Sequence, residues 1–162
     1  MPASKPLALP ALDPATVTPR TGNSYPPPFG AASAAREKRA LGDAVGLKNF
    51  GVNLVRLPPG AASSQRHWHT HEDEFVYIVE GEVELVTDSG AQRLTTGMCA
   101  GFPAGARDGH HLVNRSARDA VYLEVGDRKE EDQCYYPDVD LHYGPRATDG
   151  TFGFTRKNGE PY

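Results

Sequence analysis

Apolar and polar residues alternate in short runs through the middle of the chain, and that alternation predicts strands. Between Glu82 and Thr87, Val83 and Leu85 alternate with Glu82 and Glu84, as a half-exposed strand requires. Asp88, Ser89 and Gly90 follow as a hairpin turn, and Gln92 to Thr95 returns. Upstream, Phe50 to Leu57 reads as a strand closed by Pro58, Pro59 and Gly60. Gln65 to Thr70 is a second strand. Glu74 to Glu80, rich in β-branched and aromatic residues, is a third, and Gly81 ends or bends it. Downstream, Met98 to Phe102, His110 to Asn114 and Ala120 to Val125 complete the set. Many short strands separated by turns predict an all-β antiparallel sandwich or barrel.

The flanks have another character. Eight of the fourteen prolines lie before position 29, and Pro26, Pro27 and Pro28 hold an extended path. Residues 1–40 therefore read as an arm, either a disordered tail or an extended segment lying over the barrel or a partner subunit. Ala31 to Leu41 is the one stretch that predicts a short helix, ended by Gly42. After Gly126 the alternation weakens. Asp127 to Asp132 reads as a solvated charged run, whereas Tyr135, Tyr136, Phe152 and Phe154 need something to cover, so the tail is expected to wrap back onto the barrel.

Composition narrows the function. A chain of 162 residues suits one domain. A net charge of −4 with no Lys/Arg-rich run argues against nucleic acid and anionic membranes as partners. No apolar run approaches a bilayer-spanning length, and Met1 to Pro10 lacks the pattern of a secretory signal. A cytoplasmic location is expected, with Cys99 and Cys134 as reduced thiols.

The chemistry concentrates in one stretch. His67, His69 and His71 alternate and are followed by Glu72, Asp73 and Glu74, and a second pair, His110 and His111, lies about forty residues on. Alternate strand residues face the same side, so His67 and His69 project together, and Glu74 can return a carboxylate after a short bend. Imidazoles with a carboxylate suit a borderline transition metal. His71 falls in the bend, where strand alternation no longer fixes its direction. Arg66, Trp68 and Thr70 alternate against the ligands and should lie on the outer face.

These spacings resemble the cupin superfamily. Its first motif is matched by His67-x-His69, four residues, Glu74, six residues and Gly81, with Gly60 one residue farther upstream than the pattern asks. Its second is matched by Gly97, five residues, Pro103-x-Gly105, then His110, three residues and Asn114, with two extra residues between Gly105 and His110. The resemblance covers roughly residues 47–126 and is nearest to small single-domain bacterial cupins labelled sugar-phosphate-isomerase-like. It implies a jelly-roll β-barrel over 41–126, flanked by the arm (1–40) and a tail (127–162) packing on the barrel. It also implies His67, His69, Glu74 and His110 as ligands of one divalent transition metal ion (Zn, Fe, Mn or Ni). His71 is then a rim residue, and His111 points away from the metal.

Three functions follow as expectations. The first is a metal-dependent, isomerase-like enzyme acting on a small polar molecule, with Glu124, Tyr122 or His71 as base. Arg56, Arg66, Arg107 and Lys157 are the cations available to anchor a phosphosugar. The alternatives are an iron-dependent dioxygenase, which an apolar cavity would favour, and a non-catalytic small-ligand binder. The resemblance also implies a homodimer.

Overall fold

The fold is taken from a computed structural model, which describes residues 7–145 and 150–162. The outermost part of the expected arm, residues 1–6, and residues 146–149 of the expected tail lie outside the described residues.

Thirteen strands in three sheets build a jelly-roll barrel among the described residues. In chain order they are β1 (Arg20–Thr21), β2 (Glu37–Ala40), β3 (Phe50–Leu57), β4 (Trp68–His69), β5 (Glu74–Glu80), β6 (Glu82–Thr87) and β7 (Gly90–Thr95). They continue with β8 (Cys99–Phe102), β9 (His111–Val113), β10 (Ala120–Asp127), β11 (Cys134–Tyr136), β12 (Leu141–Pro145) and β13 (Phe152–Thr155). The largest sheet runs β1-β2-β3-β10-β5-β8, the smallest β7-β6-β9, and the third, β13-β12-β11-β4, joins the tail to the histidine strand. The core between the walls includes Val55, Leu57, Ile78, Val83, Leu112 and Tyr122. A second cluster, Cys134, Tyr136 and Leu141, packs against Tyr25, Phe29 and Phe154. The structure thus confirms the all-β, jelly-roll expectation. Among the described residues no helix is long and apolar enough to cross a membrane.

The N-terminal segment corrects one expectation. Instead of a helix over Ala31 to Leu41, the chain makes a 3-10 turn at Ala31–Ser33, then strand β2, then a short helix α1 (Leu41–Ala44) that contains Gly42. The helix formers in this stretch are overridden because β2 completes the edge of β3, with Lys38 opposite Val55 and Ala40 opposite Asn53. Side chains then alternate at period two. Arg36 and Lys38 face the interior cavity, Glu37 pairs with Arg56 on the outside, and Arg39 reaches back to the Val17 carbonyl. The expected strand over Gln65–Thr70 contracts to β4 plus a single bridge in which His67 and His110 exchange backbone hydrogen bonds of 3.1 and 2.9 Å. Arg66 leaves the ladder to bind Asp88 and Asp138.

Two motif residues are structural. Gly81 holds a φ of +77°, and a Cβ there would stand 2.7 Å from the Asp119 carbonyl oxygen, so only glycine fits. Asn114 is fully buried. Its amide donates to Leu57 O and Arg118 O, each at 2.7 Å, while its Oδ1 accepts from Ser116 N and Oγ. Asn114→Ala strands these groups. It is expected to lower stability by about 2 kcal/mol, read as a lower midpoint in urea with an unchanged slope.

Candidate metal centre

His67, His69, Glu74 and His110 converge inside the barrel. The Oε2 atom of Glu74 lies 2.9 Å from His110 Nε2 and 3.6 Å from the Nε2 atoms of both His67 and His69. Three elements bring them together. Alternation on the histidine strand puts the two imidazoles on one face, with ring centroids 5.1 Å apart. The His67–His110 bridge sets the third beside them, 5.0 Å from His67. Glu74 opens β5 opposite Gly126. The two extra residues before His110 do not displace it, because residues 106–109 adopt no regular structure and absorb the added length.

Each imidazole is oriented from behind. His67 Nδ1 donates to Gln65 O at 2.9 Å, and His110 Nδ1 faces Asp108 O at 3.3 Å. A carbonyl oxygen only accepts, so Nδ1 carries a proton, and Nε2, which faces Glu74, is the ring atom available to a metal once its own proton is displaced. His69 Nδ1 meets Asp132 Oδ2 at 2.6 Å. Phe102 stacks flat on His110, centroids 3.5 Å apart. With Nδ1 engaged on all three rings, a carboxylate at their focus and mixed N/O donors, the residues fit a transition metal. Ligand atoms of His67, Glu74 and His110 all lie within 4.8 Å of one another.

Electrostatics support the same point. Burial alone would push the Glu74 carboxyl up, but its hydrogen bonds with His110 and His67 hold it well below the usual carboxylate range. Burial likewise pulls His67 down, and the Glu74 carboxylate outweighs it and raises the imidazole. The donors therefore form a pre-paired cluster in which a dication can replace protons.

The cluster opens on a cavity of about 370 Å³. Of the candidate bases, Glu124 and Tyr122 line it. Glu124 is held by Asn53 Nδ2 at 3.1 Å and Lys38 Nζ at 3.6 Å. Burial pushes the Tyr122 phenol far up, so it serves as a donor and not as a base. His71 is exposed, as a rim residue would be, with its Nδ1 2.8 Å from Thr70 Oγ1, and as a candidate base it is corrected, since it is not part of the cavity wall. His111 turns its Nδ1 to Ser64 O at 3.0 Å. Trp68 lies away from the cluster, stacked on Tyr135 at 4.7 Å with the Arg107 guanidinium 5.7 Å from its ring.

The expected cationic anchors are also corrected. Arg56 pairs with Glu37 and Asp119, Arg66 with Asp88 and Asp138, Arg107 covers Trp68, and Lys157 donates to Pro137 O. None of the four lines the cavity; Arg36 and Lys38 do. The sequence reading missed these two because their stretch was assigned to a helix, although Arg36-x-Lys38 carries the strand period. It also missed Asp132 and Cys134. Asp132 is buried despite its charged neighbours, and burial, which would raise it, is outweighed by His69 and by the backbone N–H of His71. Cys134 stands directly across from His69 in the tail sheet, and Tyr136 lies 5.9 Å from His67.

The comparisons with known proteins agree with this architecture. A family model described as Cupin domain matches residues 53–126. A solved structure described as a sugar phosphate isomerase from a cupin superfamily, from Silicibacter pomeroyi DSS-3, is 46% identical with a TM-score of 0.88, covering 94% of this chain and 96% of that one. A putative sugar phosphate isomerase from Acidithiobacillus ferrooxidans is 29% identical with a TM-score of 0.70, covering 80% and 81%. A polyketide cyclase from Streptomyces resistomycificus, 19% identical with a TM-score of 0.59 and covering 74% and 79%, shares the fold alone. No curated protein matches at a significant level. Identity of 46% over nearly the full length of both chains, together with the convergent histidines, establishes the family: this chain belongs to the cupin superfamily.

Proposed function

We propose that the chain is a metal-dependent enzyme that isomerises a small hydroxylated molecule. In this reading His67, His69, Glu74 and His110 hold one divalent transition metal ion, and Glu124 moves the proton. The observation that carries it is the convergence of three imidazole Nε2 atoms on Glu74 Oε2 in a cavity that also holds a separate carboxylate. The sugar phosphate isomerase descriptions of the two relatives point the same way. The lining sets Ser63, Ser64, Lys38 and Glu124 among apolar and aromatic side chains such as Val76, Phe102 and Leu112, so polar groups are present to meet substrate hydroxyls.

A bound metal would supply Lewis acidity, polarising a substrate carbonyl and the hydroxyl beside it. Glu124 then takes the proton from the carbon that bears the hydroxyl and returns it to the neighbouring former carbonyl carbon. The hydroxyl proton passes to the former carbonyl oxygen, so atoms balance. Lys38 and Asn53 hold the Glu124 carboxylate in place. Tyr122, kept protonated, can donate to a substrate oxygen. The test is to incubate the metal-loaded protein in D2O with a panel of aldoses, ketoses and their phosphates. Deuterium entering carbon next to the carbonyl, and stopping on chelation, is expected. Oxygen consumption without exchange, or exchange indifferent to chelation, contradicts the reading.

A homodimer is part of the same proposal. On the outer face of the largest sheet, Phe75, Tyr77 and Val79 are 42%, 41% and 43% exposed. Phe75 is in register with Val125 and Val52, and Tyr77 with Leu123 and Leu54. A continuous apolar sheet face of this kind marks an interaction surface. Light scattering is expected to give the mass of two chains for wild type and of one for Tyr77→Glu; a monomeric wild type contradicts it.

A further inference from the structure

The strand that the arm adds to the barrel brings a cation to the cavity that nothing above uses. The charged side chains lining the cavity are Arg36, Lys38, Glu74 and Glu124, beside the histidines. Lys38 is matched by Glu124 at 3.6 Å, and Glu74 by the imidazoles. Arg36 is left without a counter-charge: among the described residues its one hydrogen bond runs from Nη1 to Ser63 O at 2.7 Å. A guanidinium carries five N–H donors in a fixed fork. The Arg36 Nε–H is enclosed in the wall with no partner, and the Tyr122 hydroxyl, also enclosed, has none of good geometry, although the Ser63 side chain is close enough to act on it. These are the two such side-chain atoms found among the described residues, and both residues line this one cavity. Enclosed unpaired donors are uncommon in folded proteins.

Arg36 is also pre-positioned. Its N–H donates to Ser33 O at 3.2 Å, and its carbonyl accepts from Gly22 N at 3.1 Å. The wall behind it is tied to the barrel by Ala62 N donating to Ala32 O at 2.8 Å. The guanidinium is near enough to Tyr25 and Tyr122 to act electrostatically on both phenols. An uncompensated guanidinium with free donors, in a cavity that also presents serine and tyrosine hydroxyls among apolar side chains, is built to receive a planar or tetrahedral oxyanion.

We propose that Arg36 is the anion subsite of this cavity and binds the phosphate or carboxylate group of a small hydroxylated substrate whose other end reaches the His67–Glu74–His110 cluster. Where that other end sits rests on the metal reading; the anion subsite does not. The subsite makes the N-terminal segment part of the binding site. It also gives this chain a selectivity for charged over neutral substrates that the barrel alone would lack.

The test is calorimetric titration of the zinc-loaded full chain with inorganic phosphate and, separately, with acetate. At least one anion is expected to bind wild type, and Arg36→Gln should weaken it by about tenfold or more with zinc content unchanged. The double variant His67→Ala/His69→Ala should lose zinc yet keep the anion affinity within about threefold, which separates failure of the subsite from failure of the metal reading. Which anion binds tells a phosphate ester from a carboxylate substrate. If Arg36→Gln does not fold, the wild-type Arg36 Nε–H resonance, assigned with Arg36→Lys, supplies the readout and should shift on anion addition. The proposal is overturned if neither anion binds, if Arg36→Gln binds as wild type does, if only the histidine variant loses binding, or if the Nε–H resonance does not move.

Discussion

Glu124→Gln is expected to lower kcat for deuterium exchange by roughly 10²–10⁴-fold, the usual contribution of a positioned general base, while leaving metal content unchanged. The substitution keeps the size of the side chain and its contact with Asn53 Nδ2, which an amide oxygen can still accept. What it removes is the ability to take a proton, together with the charge that faces Lys38 at 3.6 Å. The choice among candidate bases is made by position and burial. Glu74 is committed to three imidazoles. Tyr122 is held protonated because burial disfavours the phenolate. His71 is exposed and does not line the cavity. Glu124 sits on the inner face of β10 between Val76 and Asn53, lining the cavity that the histidines also line. A kcat within a few-fold of wild type would remove it from the mechanism.

Asp132→Ala is expected to weaken metal binding by about 10–100-fold, the range seen when the outer partner of a ligating histidine is lost. Asp132 does two things at once. Its Oδ2 atom accepts a hydrogen bond from His69 Nδ1 at 2.6 Å, which keeps Nε2 turned to the cluster and makes the imidazole a stronger donor. Its Oδ1 atom accepts from His71 N at 2.8 Å and Glu72 N at 3.2 Å, which ties down the bend that carries the chain from the histidines to Glu74. Asp132→Asn separates the two roles. An amide oxygen can still cap the bend, but the negative charge behind His69 is gone, so a loss near the lower end of that range is expected. Competition with a chromophoric chelator measures both. Equal affinity in all three proteins would show that His69 needs no outer partner.

Much of the barrel was legible because burial on one face imposes period two on the sequence. Glu74–Glu80 and Glu82–Thr87 coincide with observed strands, and Ala120–Val125 falls within one. The histidines were legible for the same reason, since ligands that share a strand must alternate. What was hidden depends on partners distant in sequence. Glu37 to Ala40 becomes a strand only because the edge of β3 is open to it. That pairing turned an expected helix into the segment that delivers Arg36 and Lys38 to the cavity. Asp132 ends a run of charges that reads as solvated, yet the fold buries it beneath a bend about sixty residues earlier in the chain. The cations chosen from sequence, Arg56 and Arg66 among them, are taken up by outward carboxylates. No local pattern distinguishes a paired surface arginine from an unpaired one in a cavity.

The proposed isomerisation depends on the metal centre, and elemental mass spectrometry of the untagged protein tests that centre most directly. Wild type should carry about one transition metal ion per chain, and His67→Ala/His69→Ala, shown by circular dichroism to be folded, should carry almost none. A wild-type protein that holds no metal even after reconstitution, or a double variant that retains it, would contradict the account.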